Sequence, residues 1–551
     1  MIDIIQARNM LRCGVSDDGE RCSACLRLQE VQSKIRECEE LLNKLYMQEA
    51  QTKSSVNAVH DPIIRNLPLE LVSNILALCN PSPVETDEEF TSSPLPNAPL
   101  STLRYQFSLG TVCKTWRNVV RSTPQLWTNI YIRFPTKRGK LPQKELLLSL
   151  RLSGSLPLHI TAWMRWDYQP SAGDYLVLSP VVEMLNAQSE RWKTLDLNVT
   201  ARLLSQFKGG AFGAQNLERL RIYLFGPPSE IKNEFHVSFG LPSPQIVNAH
   251  GTSFSSIGIS WKGVTRVKID TLTATECLGL FQLATQLVNL SIGLLECEAF
   301  HLSNSGEVIT APNLASWEVE FSADSDAMLS QLVLPSLVDL SVTDFISVES
   351  NSLKHLISRS NCPLRRISLA QPGGTDLDVI PLLRVTPLVE KVVFSYATSS
   401  EIHELLDILT RTKLVNDLSQ NPNTVFLPHL ENLSFIGVQD GPLPWHLIPS
   451  LFPPTWHPAD ARYRPLRSLE FRLFIDYIDV RDYLNKDVLL QLQEIQRRDF
   501  DLIILNEGVD DNVDLMQVSY DLHFGSQTSR GENSGVGDGE EADEEGGNTS
   551  G

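Results

Sequence analysis

The chain has 551 residues, 42% hydrophobic and 21% charged, with a formal net charge of −19. That length and balance fit a globular protein of roughly two to four domains, and the acidic excess argues against nucleic acid as the main partner, whose binding rests on Lys and Arg neutralising phosphates. No apolar run is long enough to span a bilayer, and the first eleven residues carry Asp3 and lack the order of a signal peptide. Nine scattered cysteines read as reduced thiols, so the expected compartment is cytoplasmic and/or nuclear.

Residues 1–58 open the chain. Leu28, Val31, Ile35, Cys38, Leu42 and Leu45 alternate in steps of three and four, the a/d seam of a coiled coil, with Lys34, Arg36, Glu37, Glu39 and Glu40 between them. The spacing predicts a helix that either self-associates or packs on the rest of the protein.

Residues 61–131 follow. Asp61 and Pro62 suit a helix start, and Pro68 begins a second short helix whose apolar stripe is Leu71, Val72, Ile75, Leu76 and Cys79. Pro81, Pro83, Pro94, Pro96 and Pro99 with Asp87-Glu88-Glu89 make 80–100 a loop. Beyond it Val112, Cys113, Trp116, Val119 and Val120 share one helical face, and Pro124 starts a turn ending in Leu126-Trp127. Small helices with such wide apolar faces leave part of that surface uncovered, which marks a protein interface.

From about 140 to 524 a short pattern recurs, with apolar residues at its first, fourth and sixth places. It runs through Leu217/Leu220/Ile222, Val264/Val267/Ile269, Leu287/Leu290/Ile292, Leu314/Trp317/Val319, Leu337/Leu340/Val342, Leu364/Ile367/Leu369 and Val389/Val392/Phe394. Looser copies sit at Leu430 and Leu466, and an early one ends in Leu195 and Leu197. The starts from Val264 to Val389 are 23, 27, 23, 27 and 25 residues apart, a leucine-rich-repeat period. One strand and one return segment per unit cannot bury an apolar face alone, so neighbours stack. Returns at Ala274–Ala284 and Glu401–Leu409 have helical character. No unit has asparagine three places past its last apolar residue, which predicts an irregular solenoid; the alternative is an ordinary α/β domain with parallel strands. The tail, 525–551, is rich in Gly, Ser, Glu and Asp and is expected to be disordered.

Three segments in order, Leu67-Pro68-Leu69-Glu70-Leu71 with Ile75, Val112-Cys113-Lys114-Thr115-Trp116-Arg117, and Thr123-Pro124-Gln125-Leu126-Trp127, closely resemble the F-box motif. Leu146 to Ile160, with Arg151, Ser153-Gly154-Ser155 and Leu156-Pro157-Leu158, resembles the first repeat of F-box-like proteins abundant in mushroom-forming fungi, and Ser189 to Leu195 resembles their next one. The resemblance implies an α/β chain made of an N-terminal coiled-coil helix, an all-α F-box and an irregular leucine-rich-repeat solenoid. It implies a non-catalytic substrate receptor of a Skp-cullin-F-box ubiquitin ligase: the box binds a Skp-type adaptor and, through it, a cullin, while the repeats hold an unknown protein substrate. Carried over, Leu67, Pro68, Leu71, Ile75, Leu76, Val112, Cys113, Trp116 and Val120 lie at or behind the adaptor interface. The alternative is a ligase-independent repeat scaffold. The 80–100 loop exceeds the family's usual connection.

Other chemistry lacks support. Cys22 and Cys25, with Cys13 and Cys38 nearby, form only one close pair with no histidine, too few for a zinc site. His403-Glu404-Leu405-Leu406-Asp407 has Asp where a zinc helix needs its second histidine. Gly209-Gly210 and Gly373-Gly374 lack the Gly-Lys-Ser/Thr of a phosphate loop, no Gly-x-Ser-x-Gly elbow exists, and Lys137-Arg138-Gly139-Lys140 reads as a solvated loop. No metal, cofactor, catalytic or membrane role is expected.

Overall fold

The computed structural model describes residues 23–60, 66–79, 102–134, 143–166, 170–226, 234–297, 308–321, 325–343, 350–370, 379–412, 426–438, 441–453, 463–474, 483–498, 500–507 and 512–524. Asp61 and Pro62, the 80–100 loop, the tail from Gly525, Cys13, Cys22, Lys137 to Lys140 and Gly373-Gly374 lie outside them, as does the side chain of Cys25. The chain divides into two compact units, Met1–Leu217 with Gly226–Pro228 and Ser238–Gly240, and Glu218–Phe225 with Ser229–Val237 and Leu241–Gly551. Compactness therefore groups the early helices with the first strands.

The first unit opens with the 38-residue helix α1, Ser23–His60. Short helices follow: α2 (Leu69–Leu78), α3 (Thr102–Leu109), α4 (Lys114–Ser122) and a 3-10 turn, Pro124–Trp127. Three parallel strands then alternate with helices: β1 (Asn129–Arg133), α5 (Gln143–Leu152), β2 (Leu158–Trp163), α6 (Ala172–Asn186) and β3 (Trp192–Val199). Ile130, Ile160 and Leu195 lie side by side and are buried. Arg191 ties these segments together. Its guanidinium donates to the Leu156 carbonyl at 2.9 Å, to Ser153 Oγ at 2.7 Å and to Gln188 Oε1 at 2.8 Å, and burial draws its pKa below the ordinary value. That set of bonds explains why Ser153 and Arg191 stand where they do.

In the second unit, among the described residues, twelve strands of one sheet lie in chain order, and four two-residue strands between them form two separate parallel pairs, Phe235–His236 with Ile257–Gly258 and Ile309–Thr310 with Leu332–Val333. The twelve are β4 (Arg219–Leu224), β5 (Ile246–His250), β6 (Arg266–Thr273), β7 (Asn289–Glu296), β8 (Ser316–Phe321), β9 (Asp339–Thr343), β10 (Arg366–Ala370), β11 (Lys391–Ser395), β12 (Asn432–Val438), β13 (Ser468–Leu473), β14 (Asp501–Glu507) and β15 (Asn512–Asp514). Every neighbouring pair is parallel except the last, β14 with β15. The protein is thus a mixed α/β chain with a long N-terminal helix and a large, mostly parallel sheet.

The recurring apolar places determine the register. Val267 lies beside Leu290, followed by Trp317, Leu340, Ile367, Val392, Leu433, Leu469 and Leu502. Two residues along each strand, Ile269 begins a parallel row through Ile292, Val319, Val342, Leu369, Phe394, Phe435, Phe471 and Ile504. All are buried, because alternate side chains of a strand share one face and a one-residue slip would expose the whole row. The return helices Ala274–Leu283 and Ser399–Arg411 start at capping boxes, Thr273 with Glu276 and Thr398 with Glu401, which satisfy amides that a helix start leaves open.

The polar support of the turns lies one place before the first apolar residue. Asn216 Nδ2 donates to the Glu190 carbonyl, Asn313 Nδ2 to Thr285 and Ser336 Oγ to Pro312, at 2.7, 2.9 and 2.6 Å. The partners are 26, 28 and 24 residues upstream, one repeat away. Arg464 does related work, donating to the carbonyls of Leu409, Thr412 and Phe426 at 2.7, 2.8 and 2.6 Å; burial brings its pKa down to about 10.

Candidate adaptor-binding face

The site is built on α2, α3, α4 and the 3-10 turn of the first unit. Pro68 sets the start of α2, since the amides of Leu71 and Val72 donate to its carbonyl at 3.0 and 3.1 Å. Cys113 caps α4, its sulfur accepting from the Trp116 amide at 3.4 Å. Arg117 Nε donates to the Gly110 carbonyl at 2.8 Å, linking the end of α3 to α4. Trp127 Nε1 donates to the Val120 carbonyl at 2.8 Å, and Gln106 Nε2 to the Leu126 carbonyl at 2.7 Å, so the turn is fastened to both helices. The Phe107 ring meets Trp127 edge-on at 5.6 Å.

These bonds close a small core of Val72, Leu76, Val119, Val120, Leu126 and Trp127, with Leu67, Phe107, Leu109, Trp116 and Leu152 packed against it. The nine residues singled out from sequence divide accordingly. Leu76, Cys113 and Val120 are buried in the unit itself. Leu67, Val112 and Trp116 are half-buried, and Pro68, Leu71 and Ile75 are exposed. Two further apolar residues of α2 outside these nine, Leu78, 85% exposed, and Leu69, also face solvent. Leu71, Ile75 and Leu78 follow each other by four and three residues and form one row along α2; Val72 and Leu76, on its adjoining face, point into the core. The result is an apolar ridge with rigid backing, and helical spacing alone could have assigned its inner and outer rows.

The other candidates have different surroundings. His403 and Glu404 are exposed on their helix while Leu405 and Leu406 are buried, and Asp407 pairs with Arg411 at 2.8 Å. The amides of Gly209 and Gly210 donate to Asn186 Oδ1 and Ser189 Oγ at 3.2 and 2.8 Å, so this loop is occupied internally. Among the described residues no group of His, Cys, Asp and Glu is placed to hold a metal ion, and no helix is long and apolar enough to cross a membrane. No protein-family model matches the chain, and no curated protein matches it.

Proposed function

We propose that this chain is the substrate receptor of a Skp-cullin-F-box ubiquitin ligase, with an F-box over about 61–131 and an irregular leucine-rich-repeat solenoid over 140–524. The observation that carries the reading is the ridge of Leu71, Ile75 and Leu78 beside Pro68, exposed to solvent yet anchored on a closed core. Soluble proteins retain ordered apolar ridges chiefly where another protein covers them. The solenoid reading is supported by the strict chain order of the strands and by the two unbroken apolar rows, since a doubly wound sheet reverses strand order at its middle. The antiparallel β15 blunts the last edge, as terminal capping requires. Targets would be held on the exposed strand positions or the connecting loops. Catalysis is then positioning: the receptor raises the local concentration of target lysines near the charged ubiquitin carrier.

The test is direct binding of the purified full chain to a Skp-type adaptor. Leu71 and Ile75 are roughly half exposed and Leu78 almost fully, so covering them is worth about 4 kcal/mol at the usual value of about 1.5–3 kcal/mol per fully buried side chain. L71A/I75A/L78A is expected to weaken the complex by about three decades. Wild-type affinity in that variant would remove the ridge from the interface; absence of adaptor binding by the unaltered chain would overturn the receptor reading.

A further inference from the structure

The face of α1 is independent of the adaptor ridge. Leu28, Val31, Ile35, Cys38, Leu42 and Leu45 all remain exposed along this 38-residue helix. Of the two outcomes left open by the heptads, packing of this seam onto the chain itself is absent among the described residues. A lone helix in water is held only by weak intrinsic propensity, and a continuous apolar seam on it calls for a partner.

We propose that α1 pairs with α1 of a second copy as a parallel, in-register coiled coil. The occupant follows from the side chains that flank the seam. With Leu28, Ile35 and Leu42 at a and Val31, Cys38 and Leu45 at d, Lys34 is a g position, Glu39 the next e, Leu41 the next g and Tyr46 the next e. Parallel pairing sets each g beside the following e of the other strand. Lys34 then faces Glu39 of the second copy, Leu41 faces its Tyr46, Arg27 its Gln32 and Gln48 its Lys53, with no like charges opposed in these four flanking pairs. Reversing one strand over the same six layers brings Lys34 beside Leu41 and Glu39 beside Gln32, and the complementary pairs are lost. Leu41 and Tyr46 are themselves exposed, which widens the seam where the parallel pairing joins them. Glu49, the next a position, opposes its own copy; it is bonded to Lys53 at 2.8 Å and ends the apolar part of the seam. The arrangement places the two Cys38 thiols in one layer and gives one assembly two adaptor ridges.

The experiment uses the full chain with a Skp-type adaptor present or absent. Light scattering after gel filtration is expected to give twice the chain mass, and I35K/L42K to give the single mass with adaptor binding unchanged. Copper-phenanthroline oxidation in air is expected to yield a disulfide-linked dimer that disappears in C38S. A monomeric unaltered chain, or a dimer that survives I35K/L42K, overturns the proposal. A dimer whose Cys38 does not cross-link overturns the parallel register. Adaptor binding is read separately, so its failure leaves this result standing.

Discussion

Phe435→Ala is the perturbation that best separates a stacked repeat array from a single-core α/β domain. The ring is 1% exposed and lies between Phe394 at 5.8 Å and Phe471 at 5.0 Å, one rung each way along the inner row. Truncation removes about 2–3 kcal/mol of apolar burial, plus about 0.5–1.5 kcal/mol for each of two ring pairs, which agrees with the roughly 3–5 kcal/mol usual for buried Phe→Ala. A loss near 4 kcal/mol is a large share of the about 5–15 kcal/mol that holds a folded protein together. In a stack each repeat touches only its neighbours, so the loss stays local. Hydrogen exchange read by mass spectrometry should then rise sharply in β11, β12 and β13, while β6, β7 and β8 keep their protection. If the protection falls by the same factor in all twelve strands, the array behaves as one cooperative core and the solenoid reading fails.

Three further outcomes follow from the same geometry. Val72→Ala, at a fully buried position under the ridge, is expected to lower the thermal stability of the first unit, at a cost of about 1–3 kcal/mol, yet leave adaptor affinity within a few-fold once folded; a calorimetric melt and a titration read the two separately. Arg464→Met leaves the carbonyls of Leu409, Thr412 and Phe426 facing a thioether, at about 1–3 kcal/mol for each one that water does not reach, so the melt of the second unit should drop, and an unshifted melt would refute the bonding role. Iodoacetamide at neutral pH should label exposed Cys79 and spare buried Cys277, whose pKa full desolvation pushes well up and whose reactive thiolate is therefore scarce; early labelling of Cys277 in a peptide map would contradict its burial.

The apolar rhythm was legible because strand registers repeat what the sequence states locally. Leu290, Trp317 and Leu340 announce themselves by spacing and then lie side by side. β5 escaped because Ala249 is too small to mark an inner position, and β14 because Asp499 stands where the first apolar residue belongs. α3 escaped because Phe107 and Leu109, two apart, do not form a helical stripe, although both pack on the module core. The turn supports were invisible for a different reason. Asn216, Asn313, Ser336, Arg191 and Arg464 bind backbone carbonyls, and a carbonyl has no residue type to search for; only folding reveals that the acceptor lies one repeat upstream. On α2 the motif marks Leu71 and Ile75 but not the exposed Leu78, and it does not separate the outward row from the buried Val72 and Leu76.

Under the proposed function, that separation explains how a module this small would be both folded and adhesive. Burying Leu71, Ile75 and Leu78 internally would need another element over α2, and the unit instead spends its closing contacts on the other side, where Trp127 reaches the Val120 carbonyl and Gln106 reaches Leu126. The core rows are thus fixed by hydrogen bonds that do not involve the ridge at all. None of those bonds involves a ridge side chain, whereas Val72 belongs to the core cluster that holds Leu126 and Trp127. On the proposed reading, adjacent positions of a single ten-residue helix govern adhesion and stability, and substitutions one residue apart should fail in different assays.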